Sequence, residues 1–283
     1  MAGSFSVDGR TLRVTNLDRV LYPDDHVTKA EVIGYYLAMA ERLLPHVRGR
    51  PITRIRWPHG VDHERFYEKQ LPSHAPEWLH RVTLQHSTDT VTYPIADEPA
   101  ALAWLAQHNA LELHVPQWRW RDERRVTDRL VLDLDPGPGV SLAACAEVAR
   151  WLRELLDGAG LASVPVTSGS KGIHVYARWP HDTEVTPSTY AKTLAQALVE
   201  RDPSRVTATM TKSERVGKVL IDWSQNNPNK TTITPYSLRG RARPFVAAPR
   251  TWDELADPEL RHLLATEVQH RLVDADPLAE LLD

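Results

Sequence analysis

With 283 residues, 42% of them hydrophobic and 25% charged, the chain can bury a sizeable core and has the balance of a soluble, cytoplasmic globular protein. Its apolar runs are too short for a membrane span, and its start, MAGSFSVDGRTLR, has no secretory apolar region. A single cysteine, Cys145, excludes an internal disulfide and a cysteine-based zinc site; it falls on an apolar helical stretch and reads as a small buried side chain. The net charge of −3 is unevenly spread: residues 252–283 hold nine acidic and two basic side chains, which leaves residues 1–251 at +4. Arginines cluster there at 48, 50, 54 and 56, at 119, 121, 124 and 125, and at 239, 241, 243 and 250. Such clusters set the field a phosphate backbone meets, though alone they are more often solvated faces.

In chain order, Thr28 and Glu31 form a capping box. They open a helix with Val32, Ile33, Tyr36, Ala40 and Leu43 at helical spacing, stopped by Pro45. A strand is predicted at 52–57, a helix from Pro99 to about Gln107, and a strand at 111–115. RLVLDLD at 129–135 reads as a strand ended by Pro136 and Gly137, and 141–157 as an amphipathic helix with Gly158 as its C-cap. Strands at 164–167 and 173–178 flank the turn Ser168–Gly172. A helix over 187–200 and strands at 218–223 and 232–238 follow. The tight turn implies antiparallel pairing, so the expected class is α+β: a mixed, largely antiparallel sheet flanked by helices. The acidic end after Trp252 reads as helical and peripheral.

In Leu132–Asp133–Leu134–Asp135 the period of a strand puts both carboxylates on one face and both leucines on the other. Paired carboxylates repel unless a cation lies between them, and hard divalent ions prefer such ligands. Alone, a D-x-D is a weak signal. Asp222 repeats the arrangement at the end of Val219–Leu220–Ile221, and three strand-end carboxylates suit a two-metal centre. In SGSKGIH at 168–174, two glycines let a turn offer backbone N–H groups to an anion, with Lys171 and His174 beside it. A plain hairpin turn is the blander account. His114 ends a strand, where histidines are more often structural than catalytic. Phe66 and Tyr67 read as core by composition. Arg215, Lys218, Gln225, Lys230 and Arg239 surround Asp222 in sequence and are either an anionic groove's lining or plain surface. Asn16, Arg19 and Lys29 carry no motif of their own.

Taken together, the blocks VTNLDRVLYP, RFYEKQ, LELHVPQW, RLVLDLDPG, VTSGSKGIHVY, KVLIDWSQN and TTITPYSLRGRARP resemble the polymerase domain of bacterial DNA ligase D, of the archaeo-eukaryotic primase superfamily. The resemblance spans nearly the whole chain. It implies a single primase-polymerase domain: residues 1–125 with 5′-phosphate and DNA-binding elements, 126–250 as catalytic core, and 251–283 as an acidic helical segment. It further implies a template-dependent nucleotidyltransferase of nonhomologous end joining that extends 3′ ends, fills short gaps and prefers ribonucleotides.

On that resemblance Asp133, Asp135 and Asp222 are the catalytic ligands of two Mn2+ or Mg2+ ions. Ser168, Lys171, His174, His114, Arg215, Lys218, Gln225, Arg239 and Phe66 lie about the nucleotide, and Asn16, Arg19 and Lys29 hold a downstream 5′-phosphate. The implied partners are gapped, nicked or broken DNA, NTPs or dNTPs, Ku and a DNA ligase, with no membrane. Arg19 stands where lysine is usual and Tyr67 where a second phenylalanine is common. No K-x-D-G sequence is present, so nick sealing is not expected of this chain, whether it stands alone or is one domain of a larger ligase. Two rivals come from the residues themselves: an aspartyl-phosphatase that uses D-x-D, and a non-catalytic module that binds 5′-phosphorylated ends.

Overall fold

The computed structural model describes residues 2–180 and 183–281. Two sheets organise it. A six-stranded sheet runs in the order Val206–Thr207, Val219–Asp222, Arg129–Pro136, Ile173–Arg178, Ser163–Thr167 and Ala248–Pro249. All its pairs are antiparallel except the first, which is parallel. A four-stranded sheet runs Thr232–Ile233, Ala110–Val115, Thr53–Arg56 and Phe66–Glu68. The mixed, largely antiparallel α+β expectation holds.

Alternation decides what each face of the six-stranded sheet meets. Leu130, Leu132, Leu134, Ile173 and Val175 pack against the helices Leu142–Gly158 and Pro187–Arg201, in a core that includes the fully buried Cys145. Truncating one such leucine to alanine costs about 2–5 kcal/mol. From the opposite face, Val131, Val166 and Tyr176 join a second core shared with Leu111, Leu113 and Val115 of the four-stranded sheet and with the helices near the N-terminus. No helix among the described residues is long and apolar enough to cross a membrane.

Four local expectations need correction. The Thr28–Glu31 capping box forms, but the helix it opens ends at Ala38; the chain turns at Met39 and a second helix, Ala40–Val47, contains Pro45. Proline there forfeits a single bond to the carbonyl of Glu41, an exposed residue, while Leu43, Leu44 and Val47 remain buried. The cap after Leu142–Gly158 uses Gly160, at φ +72°, rather than Gly158: Leu161 N donates to Leu156 O and Gly160 N to Asp157 O, a Schellman closure. The strand expected at 232–238 stops at Ile233, because Pro235 offers no N–H and Tyr236 sits at φ +67°. The acidic end is a short helix, Ala265–His270, with 3-10 turns, and it is not peripheral. Leu263, Val268 and Leu278 enter the main core, which a count of charges does not register.

Candidate active site

Burying Leu130, Leu132 and Leu134 on the helices turns Asp133 and Asp135 to the other face of their strand. Register then supplies the neighbours. His174 lies directly opposite Asp133 on one side, and Asp222 directly opposite it on the other. Residues paired in this way share a face, with Cβ atoms about 5 Å apart. His174 Nε2 is 3.3 Å from Asp133 Oδ1, both side chains being largely buried.

This crowding shows in the chemistry of Asp135. Its carboxyl is pushed up to about 6, first by the charge of Asp133, then by burial and Asp222, against the pull of His174 and Arg215. A divalent cation removes such repulsion, and three carboxylates are the hard oxygen donors it takes. The donor set therefore fits a divalent ion. Among the described residues, however, no three His, Cys, Asp or Glu side chains already converge as a cage. Asp222 is turned onto its own 3-10 turn: Oδ1 accepts from Ser224 N at 3.0 Å and from the Ser224 hydroxyl. Its Oδ2 accepts from Gln225 Nε2 at 2.9 Å, and Lys230 Nζ stands 3.7 Å away. Sharing an ion with Asp133 and Asp135 requires Asp222 to release some of these contacts.

Glycines bring two further segments against the strand end. A Cβ on Gly137 would lie 1.7 Å from Arg215 O, so only glycine lets the 215–218 turn close there; Gly137 N donates to Lys218 O at 2.9 Å. The backbone of Arg215 and Lys218 is thereby held beside Gly137, and the Arg215 charge reaches Asp135 although its Nη2 donates to Met210 O at 2.7 Å. A Cβ on Gly172 would lie 2.0 Å from Leu134 O, so the Ser168–Gly172 loop must pass close to the aspartate strand. Lys171 is exposed at that loop. The loop amides are not offered outward as expected. The N–H groups of Ser170, Lys171 and Gly172 all point to Ser168 Oγ, at 3.3, 3.3 and 3.1 Å. The buried serine hydroxyl satisfies them internally, a local closure typical of serine.

His114 has a partner that sequence reading missed. Glu112, two residues earlier on the same strand face, is 2.8 Å from His114 Nε2 and accepts from Gly240 N at 3.0 Å. It also faces Arg239 Nε at 3.5 Å. Burial pushes the Glu112 carboxyl up, but His114, Arg239 and Gly240 outweigh it and hold it below the usual range. Burial pushes His114 down, with Arg239 and His174 adding to the effect against the pull of Glu112. Arg239 is lowered by burial first, opposed by Glu112 and Asp133, so its charge reaches the aspartates as well. The alternation in Leu111–Glu112–Leu113–His114 carried this signal in the way LDLD did.

Asn16, Arg19 and Lys29 come together elsewhere. Asn16, at φ +54°, opens a turn in which Arg19 N donates to Asn16 O, and Lys29 N donates to Arg19 O at 2.8 Å. Lys29 is 3% exposed, its ammonium donating to Thr15 O at 3.0 Å. Among the described residues it has no carboxylate partner. Burial, then Arg19 and Arg56, lower its pKa to about 8. An uncompensated buried cation suits an anion. Phe66 pairs in register with Arg56, whose charge also reaches Lys29, at the other end of that strand from the Thr53–His114 pair. Phe66 and Tyr67 are 43% and 58% exposed, so the core reading fails. Exposed adjacent aromatics are surfaces for stacking. Tyr22 links the two groups, donating to Arg239 O at 2.9 Å.

Comparison with known proteins bears on the family and the fold. Residues 28–278 match the family model described as LigD, primase-polymerase domain. The multifunctional non-homologous end joining protein LigD of Mycolicibacterium smegmatis is 53% identical over 274 residues, covering 96% of this chain and 36% of that protein. The bifunctional LigD of Bacillus subtilis is 30% identical over 246 residues, 86% of this chain and 39% of its own. The chain thus spans little more than a third of the length of these relatives. Among solved structures, the polymerase domain from Mycobacterium tuberculosis Ligase D in complex with DNA superposes with a TM-score of 0.92 at 52% identity, covering 95% of this chain and 97% of that one. The aspartyl-phosphatase alternative falls with this match, and the chain belongs to the LigD primase-polymerase domain family, whose members are polymerase-type nucleotidyltransferases.

Proposed function

We propose that this chain is a template-dependent polymerase of bacterial end joining that extends 3′ ends and fills short gaps bearing a downstream 5′-phosphate. The observation that carries the reading is the row His174–Asp133–Asp222 across three strands, with Asp135 beside it and pushed up to about 6. Asp133, Asp135 and Asp222 would hold two divalent ions, Mn2+ or Mg2+. When bound, these ions supply Lewis-acid activation of a 3′-hydroxyl and charge neutralisation on a departing pyrophosphate. The protein's own groups do the positioning. His174, Lys171, Arg215 and Lys218 would orient the triphosphate at the aspartates, together with Arg239, which lies against the Ser168–Gly172 loop, and His114, braced by Glu112. Ser168, whose Oγ accepts the loop amides, would report on the sugar hydroxyl through its own O–H, giving a ribonucleotide preference. Asn16, Arg19 and Lys29 take the 5′-phosphate, and Phe66 stacks on a template base. DNA is the first partner, with Ku and a ligase as further ones in a nucleoid-associated, cytoplasmic setting.

The division into an N-terminal part at 1–125, a catalytic core at 126–250 and a C-terminal segment is part of the same proposal. Its test is extension of a gapped duplex by the unmodified chain with Mn2+ and NTPs, with the products sized. The expected outcome is filling of the gap, with Asp133→Ala at least about a thousandfold slower while DNA binding persists. Extension by Asp133→Ala at a rate comparable to the parent overturns the metal assignment.

A further inference from the structure

Positive charge is concentrated away from the aspartate face as well, beneath the first residue of the central strand. Arg50 is 1% exposed and Arg129 7% exposed, and Arg119 lies at their rim. Asp128 is the only carboxylate lining the cavity that these three share, among the described residues. It is fully used: Arg50 Nη2 bonds both its oxygens at 2.7 and 2.8 Å, and Arg119 Nε donates to Oδ2 at 2.5 Å. The remaining bonds go to neutral groups. Arg129 Nε donates to Gln117 Oε1 at 2.8 Å, Arg119 to the carbonyls of Pro45 and Arg48, and Arg50 Nη1 to Pro116 O.

Among the described residues, two buried guanidinium N–H groups, Arg50 Nε and Arg129 Nη2, are left without a partner, as is the ring nitrogen His46 Nε2. All three residues line one narrow, partly open space of about 20 Å3, bordered by Leu278 and Leu281. That volume admits one water-sized particle. His46 is neutral there, because burial and then the three guanidiniums push its pKa well down, so it adds no further charge. Among the described residues, three guanidiniums against one carboxylate leave an excess of two positive charges, with Arg50 and Arg129 buried and Arg119 at the cavity mouth. The Tyr176 ring, 5.2 Å from the Arg129 guanidinium, offsets a part of this. A water would satisfy the stranded N–H groups but would leave the charge uncompensated, which is the costlier fault.

We propose that this cavity is a binding site for one monatomic anion, with chloride as the matching size and charge. Phosphate and sulfate are too large for the space. The ion would tie the Ala40–Val47 helix, the start of the aspartate strand and the last described turn to one point. It is independent of the polymerase reading, since none of its residues is placed at the nucleotide.

The test compares thermal unfolding of the full chain in sodium chloride and sodium gluconate at equal ionic strength. Chloride should raise Tm saturably, by roughly 2–4 °C for a chain of this size, and Arg129→Met should remove the difference. In case that variant fails to fold, crystals of the unmodified protein soaked in bromide provide a second measurement. One anomalous peak within hydrogen-bond reach of Arg50 Nε, Arg129 Nη2 and His46 Nε2 supports the site. A water in that position under bromide overturns it, as does a Tm indifferent to chloride.

Discussion

Asp222 stands directly opposite Asp133 in the sheet, so a carboxylate from late in the chain completes the acidic face that Leu132–Asp135 begins. The pairing is antiparallel and continues through Leu134–Ile221 and Asp135–Leu220, which fixes it beyond a chance approach of two loops. Backbone register keeps these residues on one face and within reach of each other, although the Asp222 carboxylate is turned onto its own turn.

The pH dependence of the metal-free protein is one consequence. Asp135 has a folded pKa of about 6, above the usual aspartate value of about 4, so folding takes up a proton between these limits. Stability of the metal-free protein should therefore fall as pH rises from about 4 through 6 and stay reduced above that. Asp135→Asn should melt roughly 2–4 °C above the parent at pH 7.5 without metal. Mn2+ should raise the parent's Tm and hardly move the variant's. Scanning calorimetry from pH 4 to 8 checks this, and parallel curves for the two proteins would refute it.

Glu112 is predicted to act by positioning. Glu112→Gln keeps the shape but removes the charge that faces Arg239 and the acceptor on His114. We expect KM for the nucleotide to rise about tenfold with kcat nearly unchanged, because bound nucleotide can itself steady Arg239. Glu112→Ala should also lose stability by about 3 kcal/mol, since it strands a buried guanidinium. Steady-state kinetics and urea unfolding separate the two effects. An unchanged KM in Glu112→Gln would remove the positioning role.

The 5′-phosphate pocket has its own pH signature. With a pKa lowered to about 8, Lys29 is charged below that value and loses its charge as pH rises through it. Preference for a gap carrying a 5′-phosphate over one carrying a 5′-hydroxyl should be strong at pH 7 and weaken above 8. Lys29→Met should reduce that preference roughly tenfold or more, the worth of a charge-assisted hydrogen bond, while leaving extension of a simple recessed end intact. Fluorescence anisotropy with both gap types provides the measurement. Equal loss on both would assign Lys29 to general DNA affinity instead.

Ser168→Ala should have two separable effects. Removing an oxygen that accepts three loop amides should cost about 1–3 kcal/mol of stability. It should also narrow the discrimination between GTP and dGTP. Ser168→Thr, which restores a hydroxyl, should recover both. Discrimination that stays at the parental level in Ser168→Ala would leave the serine a purely structural role.

The residues that read well from the sequence share a short-range cause. LDLD and VLID display their carboxylates because a strand alternates and the intervening apolar residues must be buried. Thr28 and Glu31 cap a helix through bonds three residues apart. Cys145 is buried because its helix turns an apolar stripe to the sheet. The order of many short blocks identified the family as well, although each block alone was weak.

Other features arise only where distant segments meet. Which residue sits opposite Asp133, whether Phe66 faces solvent, and whether the Ser168 hydroxyl closes its own loop all depend on register and close approach. The same holds for Glu112, whose role needs Arg239 and Gly240 from far along the chain, and for the guanidiniums around Asp128. Local sequence thus determined the elements, the caps and the family. Folding decided the electrostatics, because burial and the distance between charges are properties of the packed chain and not of any segment within it.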